Sequence, residues 1–333
     1  MSKRFWYVAA VVLALALGWI GFRILTRPVH QTPQEIPTLR VGSHTTILSA
    51  ALDVTAAKGY FQREGLHVVL DHQESSKITM PALLSGTLVI AIGSNSAGSL
   101  NHLATGKIQI LADAARVVPR LLVRKDLLQS GRVSTISDLR DRSIRVPREG
   151  SASHFALHKI LAAHGVPDEE VQLAFLDEQI TLAELKRGDL DAGILNEPYA
   201  SEAIQQGTAS EPWVSQIAQI FGERGQEHMV LFINKAYGDS HPGLVGRFLD
   251  AYRDGIRDYL KAREAPSAHT EILQIIARYT GATTEVVTKA EWPWISPNAH
   301  PDLEGLRESQ TYFLAKDLIE KPVELRIWSP PLR

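Results

Sequence analysis

Leu88-Val-Ile-Ala-Ile92, Gly98-Ser-Leu-Asn-His-Leu-Ala-Thr105 and Ile108-Gln-Ile-Leu-Ala112 follow one another with almost no chain between them. The first run is continuously apolar and bounded by turn residues, as a strand buried on both faces reads. The second has helical spacing, and the third is again a strand. Strand, helix and strand in this order build an open α/β sheet with crossover helices. Upstream the same alternation holds. Thr38-Leu-Arg-Val41 reads as a strand, Ile47 to Lys58 as a helix stopped at Gly59, His67-Val-Val-Leu70 as a strand, and Met80 to Ser85 as a helix closed by Gly86. Glycine suits these stops because a helix end needs the left-handed backbone.

A second alternating unit follows. Ser143 to Val146 predicts a strand, Ser151 to His164 a helix, Gln172 to Phe175 a strand, Leu182 to Arg187 a helix and Ala192 to Leu195 a strand. A helix is expected from near Pro198, and a strand over Val214 to Ile220. Beyond that the pattern turns helical. Leu244, Val245, Phe248, Leu249, Tyr252, Ile256 and Tyr259 recur on one face of a helix over Pro242 to Lys261. Thr270 to Tyr279, Thr284 to Glu291 and Leu303 to Leu314 continue the series. The fold class read here is α/β in two lobes, since some 300 exported residues exceed one small core.

Export follows from the first residues. Phe5 to Phe22 carries no charge and spans roughly 27 Å as a helix, close to the thickness of a bilayer core. Lys3 and Arg4 precede it, and Trp6, Tyr7 and Trp19 lie near its ends. Residues 1–27 are therefore expected to be an inner-membrane anchor, favoured over a cleaved signal peptide ending at Ala14-Leu-Ala16, and residues 28–37, with three prolines, a tether. The chain has no cysteine. That excludes a lipoprotein, a disulfide framework and a thiol nucleophile. A formal charge of −2 gives no general attraction to nucleic acid. Apolar residues at 44% and charged residues at 22% are ordinary for a globular protein.

In an open α/β sheet, ligands bind where strands end and helices begin. Four such loops are rich in small polar groups: Ser43, His44, Thr45 and Thr46; Ser94 and Asn95; Ser151, Ser153 and His154; Asn196 and Glu197. Hydroxyls, amides and free N–H groups at helix starts suit a small anion or zwitterion. The same residue types also serve as ordinary caps and turn formers. Ser151 to His154 favours an oxyanion. Glu197 and Glu227 favour an amine, and Trp292-Pro-Trp294 could cover a ring. Enzyme motifs are missing. Gly93 to Gly98 has the wrong spacing for a nucleophile elbow, no phosphate loop or dinucleotide fingerprint occurs, and His154 with His158 lacks the glutamate of a zinc-protease motif. No cofactor and no metal are expected.

Several segments together carry a family resemblance. Ala57-Lys-Gly-Tyr-Phe-Gln-Arg-Glu-Gly-Leu66, Ala82-Leu-Leu-Ser-Gly86, Asp138-Leu-Arg-Asp-Arg-Ser-Ile-Arg-Val-Pro147, Gly188-Asp-Leu-Asp-Ala192 with Glu197-Pro-Tyr199, and His241-Pro-Gly-Leu-Val245 resemble the signatures of periplasmic substrate-binding proteins for nitrate, sulfonates, taurine and thiamine-pyrimidine precursors. Val89 and Asp141 depart from the usual aspartate and glycine. The resemblance implies a two-lobed periplasmic-binding-protein fold of type 2 with two hinge crossings, near Arg120 to Arg124 and Met229 to Asn234. Lobe one would comprise residues 38–120 and 229–333, and lobe two residues 121–228. It further implies a non-enzymatic protein that gives a sulfonate-, taurine- or nitrate-like solute to an ABC permease and its ATPase. The alternatives are a membrane-tethered sensor and a binder of pyrimidine-type solutes. Pyrimidine-forming relatives use a cysteine-rich segment that this chain lacks.

Overall fold

The structure, a computed structural model, describes residues 38–73 and 76–331. The expected anchor and tether lie outside these residues. Among the described residues no helix is long and apolar enough to cross a membrane.

Among the described residues ten strands form two five-stranded sheets. The first contains β1 (Thr38–His44), β2 (His67–Gln73), β3 (Ile90–Ser94), β4 (Ile108–Val117) and, much later in the chain, β10 (Gln226–Asn234). The second contains β5 (Leu121–Arg124), β6 (Ser143–Val146), β7 (Gln172–Phe175), β8 (Ala192–Ile194) and β9 (Ala209–Ser210). The orders are β2-β1-β3-β10-β4 and β7-β6-β8-β5-β9. β1 runs parallel to β2 and β3, and β6 runs parallel to β7 and β8. β10 is antiparallel to both neighbours, and so is β5. Each of these two strands enters its sheet on arrival from the other one, so it comes in against the prevailing direction.

The apolar run at Leu88 becomes strand two residues late. Leu88 N–H closes a turn onto Ala82 C=O, and pairing begins at Ile90. Every residue of β3 is buried, as its uninterrupted apolar character requires. On one face of this sheet Leu39, Val41, Ile92 and Leu231 pack with helices Ala50–Ala57 and Pro242–Glu264 through Val54, Phe248, Tyr252 and Tyr259. Each such side chain contributes roughly 1.5–3 kcal/mol of burial. On the other face Met80, Leu100, Val230 and Phe232 pack with Leu306 and Phe313 of the C-terminal helix Leu303–Ala315.

Two expectations are corrected here. Val214–Phe221 is a helix, not a strand. Ile217 and the preceding Trp213 are buried in the second core while Val214 is 53% exposed, so the run has a helical face rather than alternation. The strand that completes the second sheet is the short Ala209–Ser210. The crossings also fall earlier than expected. Leu121–Arg124 already belongs to the second sheet and Met229–Asn234 to the first, so the chain passes between sheets at residues 118–120 and 222–225.

Candidate functional site

The carboxyl ends of the parallel strands of both sheets face one another. Ala97 N–H, at the start of helix Ala97–Leu103 after β3, donates to Gly150 C=O after β6 at 2.8 Å. Gln226 Nε2, at the start of β10, donates to Ala152 C=O at 2.9 Å. Arg148 lies close enough to His44, His228 and Glu178 for its charge to act on all three.

Most of the polar groups expected in the site turn out to be occupied by the protein. Ser43 Oγ turns inward to Asp53 at 3.5 Å. Asn95 is a staple: its N–H goes to His228 C=O, its amide nitrogen to Glu227 C=O at 3.1 Å, and its amide oxygen accepts from Ser309 at 2.9 Å. Ser94 N–H is held by Ser76 Oγ at 3.2 Å. Ser151 caps helix Ala152–Ala163 by accepting from His154 N–H, and its hydroxyl donates to Arg148 C=O at 2.7 Å. Ser153 is buried in the first turn of the same helix. His154 has both ring nitrogens engaged, Nδ1 by Gly150 N–H at 3.1 Å and Nε2 by Tyr312 Oη at 3.0 Å. Asn196 binds Glu178 twice through one carboxylate oxygen, at 2.7 and 2.8 Å. Glu197 accepts from Arg120, Ser201 and the Glu291 N–H.

What remains open lies elsewhere in the same cleft. Nε2 of His44, Oγ1 of Thr46, Nδ1 of His228 and Oε1 of Gln226 are buried without a hydrogen-bond partner among the described residues. Thr45, next to them, is exposed and anchored by its N–H to Gln73 C=O. The Arg148 guanidinium, half-buried, makes no ion pair and no side-chain hydrogen bond among the described residues; only its carbonyl is used. Burial, with the Arg148 charge behind it, lowers the pKa of His44 and of His228 to about 4. Both rings are therefore neutral near pH 7 and can each present an N–H. A permanent cation, a hydroxyl and two neutral imidazoles make a set of donors with no anion of their own. Unsatisfied buried donors are costly, so a ligand that accepts from them gains correspondingly. Glu178 is a carboxyl within reach of the Arg148 charge, but its Oε1 is held by Asn196 and burial raises its pKa.

Of the residues expected from sequence, His44 and Thr46 carry open polar atoms. Arg148, His228 and Gln226 were not anticipated. Arg148 follows Val146-Pro147 at the end of β6, and strand-end position alone could have singled it out. His228 sits inside an apolar strand and carries no such signal. A cavity of about 30 Å³, enough for a water molecule, lies alongside, lined by Leu48, Arg120, Glu197, Trp292 and Trp294 among others. Among the described residues no group of three or more His, Asp or Glu could hold a metal ion.

A family model described as NMT1/THI5 like matches residues 46–265. The chain belongs to that family. No curated protein matches it in sequence. Solved structures share its fold at low identity. The periplasmic aliphatic sulphonate-binding protein of Escherichia coli is 17% identical, with a TM-score of 0.71 over 87% of this chain and 97% of its own. The alkanesulfonate-binding protein of Xanthomonas axonopodis, solved with MOPS bound, is 17% identical, with a TM-score of 0.63 over 86% and 96%. The periplasmic nitrate-binding protein of Synechocystis is 15% identical, with a TM-score of 0.60 over 76% and 69%. This NMT1/THI5-like chain thus has the two-lobed α/β periplasmic-binding-protein fold that its sequence motifs implied.

Proposed function

We propose that this protein captures a small oxyanion, of sulfonate or nitrate type, between its two lobes and passes it to an ABC importer. The observation that carries this reading is the Arg148 guanidinium, unpaired among the described residues, with His44 and His228, each with an unpartnered buried nitrogen, close enough to feel its charge. An arginine fork matches the oxygens of a sulfonate or nitrate in two parallel hydrogen bonds. Thr46 adds a hydroxyl. Gln226 Oε1 is an acceptor, since its amide nitrogen is fixed on Ala152, and it suits an amine on the same ligand, as in a taurine-like zwitterion. The relatives support the class: two are described as binding sulfonates and one nitrate. Lobe one, built on the first sheet, would comprise residues 38–117 and 226–333 and lobe two residues 121–221, closing on the ligand about the crossings. The working place would be the periplasm, with residues 1–27 holding the protein at the inner membrane beside its permease.

Calorimetry with methanesulfonate, taurine, nitrate and sulfate tests the proposal. The wild-type protein should bind at least one of them, and Arg148→Gln should weaken binding ten- to a hundredfold, since hydrogen bonds to a charged group are worth about 1.5–3 kcal/mol. Binding of none, or full affinity in Arg148→Gln, would overturn it.

A further inference from the structure

Arg148 opens a tight turn. Ser151 N–H returns to Arg148 C=O at 3.3 Å, and Gly150 occupies the third position with φ +64°. Both polar groups of Gly150 are fastened from outside the turn. Its carbonyl accepts from Ala97 of the facing half, and its N–H donates to His154 Nδ1. An alanine Cβ at Gly150 would come within 2.8 Å of the Ala97 Cβ, so the turn is also pinned by contact.

The His154 ring is itself held. Nδ1 accepts, so a neutral ring carries its proton on Nε2 and donates it to Tyr312 Oη. The Tyr312 hydroxyl proton is then free for Asp168 Oδ2, 3.3 Å away. Asp168 is a fixed anchor: Lys316 lies 3.0 Å from Oδ2 and His158 3.0 Å from Oδ1. Burial works to raise its pKa, but the hydrogen bonds and charges of His158 and Lys316 outweigh it and bring Asp168 down to about 2. The Tyr312 ring stacks on His158 with centroids 4.3 Å apart. Every proton in the chain Gly150, His154, Tyr312, Asp168 has one direction. It joins the C-terminal helix Leu303–Ala315, packed in the first core, to the turn that carries the anion-site arginine.

We infer that Tyr312 is a positioning residue for the anion site, holding the Gly150 turn through His154 and so fixing where the Arg148 guanidinium points. The inference rests on Arg148 being the ligand-binding group. Tyr312 itself touches no open group of the cleft, and nothing in its sequence neighbourhood marks it out.

The test is Tyr312→Phe in the full chain, which keeps the ring and removes the hydroxyl. Nuclear magnetic resonance of the ligand-free protein should show the His154 ring losing its single Nε2–H tautomer, with the Gly150 amide and the Arg148 Nε–H signals shifting. Methanesulfonate, or whichever of the four probe anions the wild-type protein binds, should bind about fivefold more weakly, about 1 kcal/mol. Should Tyr312→Phe not fold, Asp168→Asn removes the anchor one bond further out and carries the same readouts. Unchanged Gly150 and Arg148 signals would overturn the inference and leave the anion reading standing. Absence of anion binding by the wild-type protein would remove the anion reading and the inference with it.

Discussion

Asp113 and Glu227 sit side by side where the chain passes between its two sheets, and one guanidinium reaches both. Arg116 Nε lies 3.1 Å from Asp113 Oδ2 and 3.5 Å from Glu227 Oε2. Both carboxyls are fully buried. Ser296 N–H donates to Asp113 Oδ2 at 2.7 Å and Asp302 N–H to Glu227 Oε2 at 2.6 Å. Their remaining oxygens have no other partner among the described residues and face a single cation's worth of compensation. Two buried like charges beside one guanidinium are costly, and the carboxyl pushed up hardest is Glu227. Burial, then the Asp113 charge, hold Glu227 well above the ordinary glutamate value.

A raised carboxyl favours the folded state at low pH. The contribution of Glu227 is fully present below the unfolded value of 4.5 and is lost as pH rises through the folded value, by up to about 1.4 kcal/mol per pH unit. Asp53, raised to about 6 by burial, adds the same sign, while His44, His154 and His228, lowered to about 4, oppose it. The informative quantity is therefore a difference. Glu227→Gln removes the titrating group while keeping its size and should flatten the pH dependence of stability above pH 4.5 relative to wild type. Urea melts across pH 4.5 to 8 measure it, and parallel curves would show that Glu227 is not the proton holder.

Glu197 is tied to the protein, through groups of both halves, more tightly than its place at a strand end suggests. Besides Arg120, it accepts from Ser201 N–H at 3.2 Å, Ser201 Oγ at 2.8 Å and Glu291 N–H at 3.2 Å. Arg120 keeps a second carboxylate in Glu211, at 2.8 Å. Glu197→Gln should cost the ligand-free protein about 1–3 kcal/mol, since it weakens charged hydrogen bonds at a nearly buried site. Calorimetric melting without ligand reads this directly. A variant with an unchanged melt and weakened anion binding would return Glu197 to the ligand.

The α/β order was legible because it is written in local periodicity. The buried strand at Ile90 and the amphipathic helix over Pro242–Glu264 each announce themselves within a dozen residues. Val214–Phe221 misled because a short run containing valine and isoleucine fits either period, and only the placement of Trp213 and Ile217 in the second core decides it. The site was half legible. Loop positions at strand ends pointed to the candidate cleft, but most side chains with cap chemistry there are hydrogen-bonded within the protein. Asn95 is consumed by partners 132 and 214 residues away in sequence, which no local pattern records. That Arg148 makes no ion pair among the described residues is likewise a property of the assembled cleft.

Ser151 and Thr46 separate the two uses of a hydroxyl. Ser151 caps a twelve-residue helix, so Ser151→Ala should destabilise the ligand-free protein by about 1 kcal/mol. Thr46 Oγ1 is buried without a partner, so Thr46→Ala should leave the melt unchanged or raise it slightly, while weakening anion binding severalfold. Thermal melts paired with calorimetry distinguish them. A Thr46→Ala protein that binds as well as wild type would remove the hydroxyl from the site.

Gly225 fixes the approach of the two crossings. It stands immediately before β10 with φ +71°, and a Cβ there would lie 2.1 to 2.4 Å from the backbone of Val117 and Val118 at the end of β4. Backbone atoms cannot swing away as a side-chain tip can, so one crossing would have to move off the other. Gly207 provides the control. Its φ is +68°, and a Cβ there would meet nothing within 4 Å. Gly207→Ala should therefore cost only the left-handed backbone penalty, about 1–2 kcal/mol. Gly225→Ala pays that plus the steric displacement and should be less stable than Gly207→Ala by about 2 kcal/mol or more, in the range of strong overpacking. For a chain of this size that is a further drop in melting temperature of roughly 4–8 °C. Equal melting temperatures for the two variants would mean that the crossings separate freely, and that the close backbone contact at Gly225 does not hold the two halves in register.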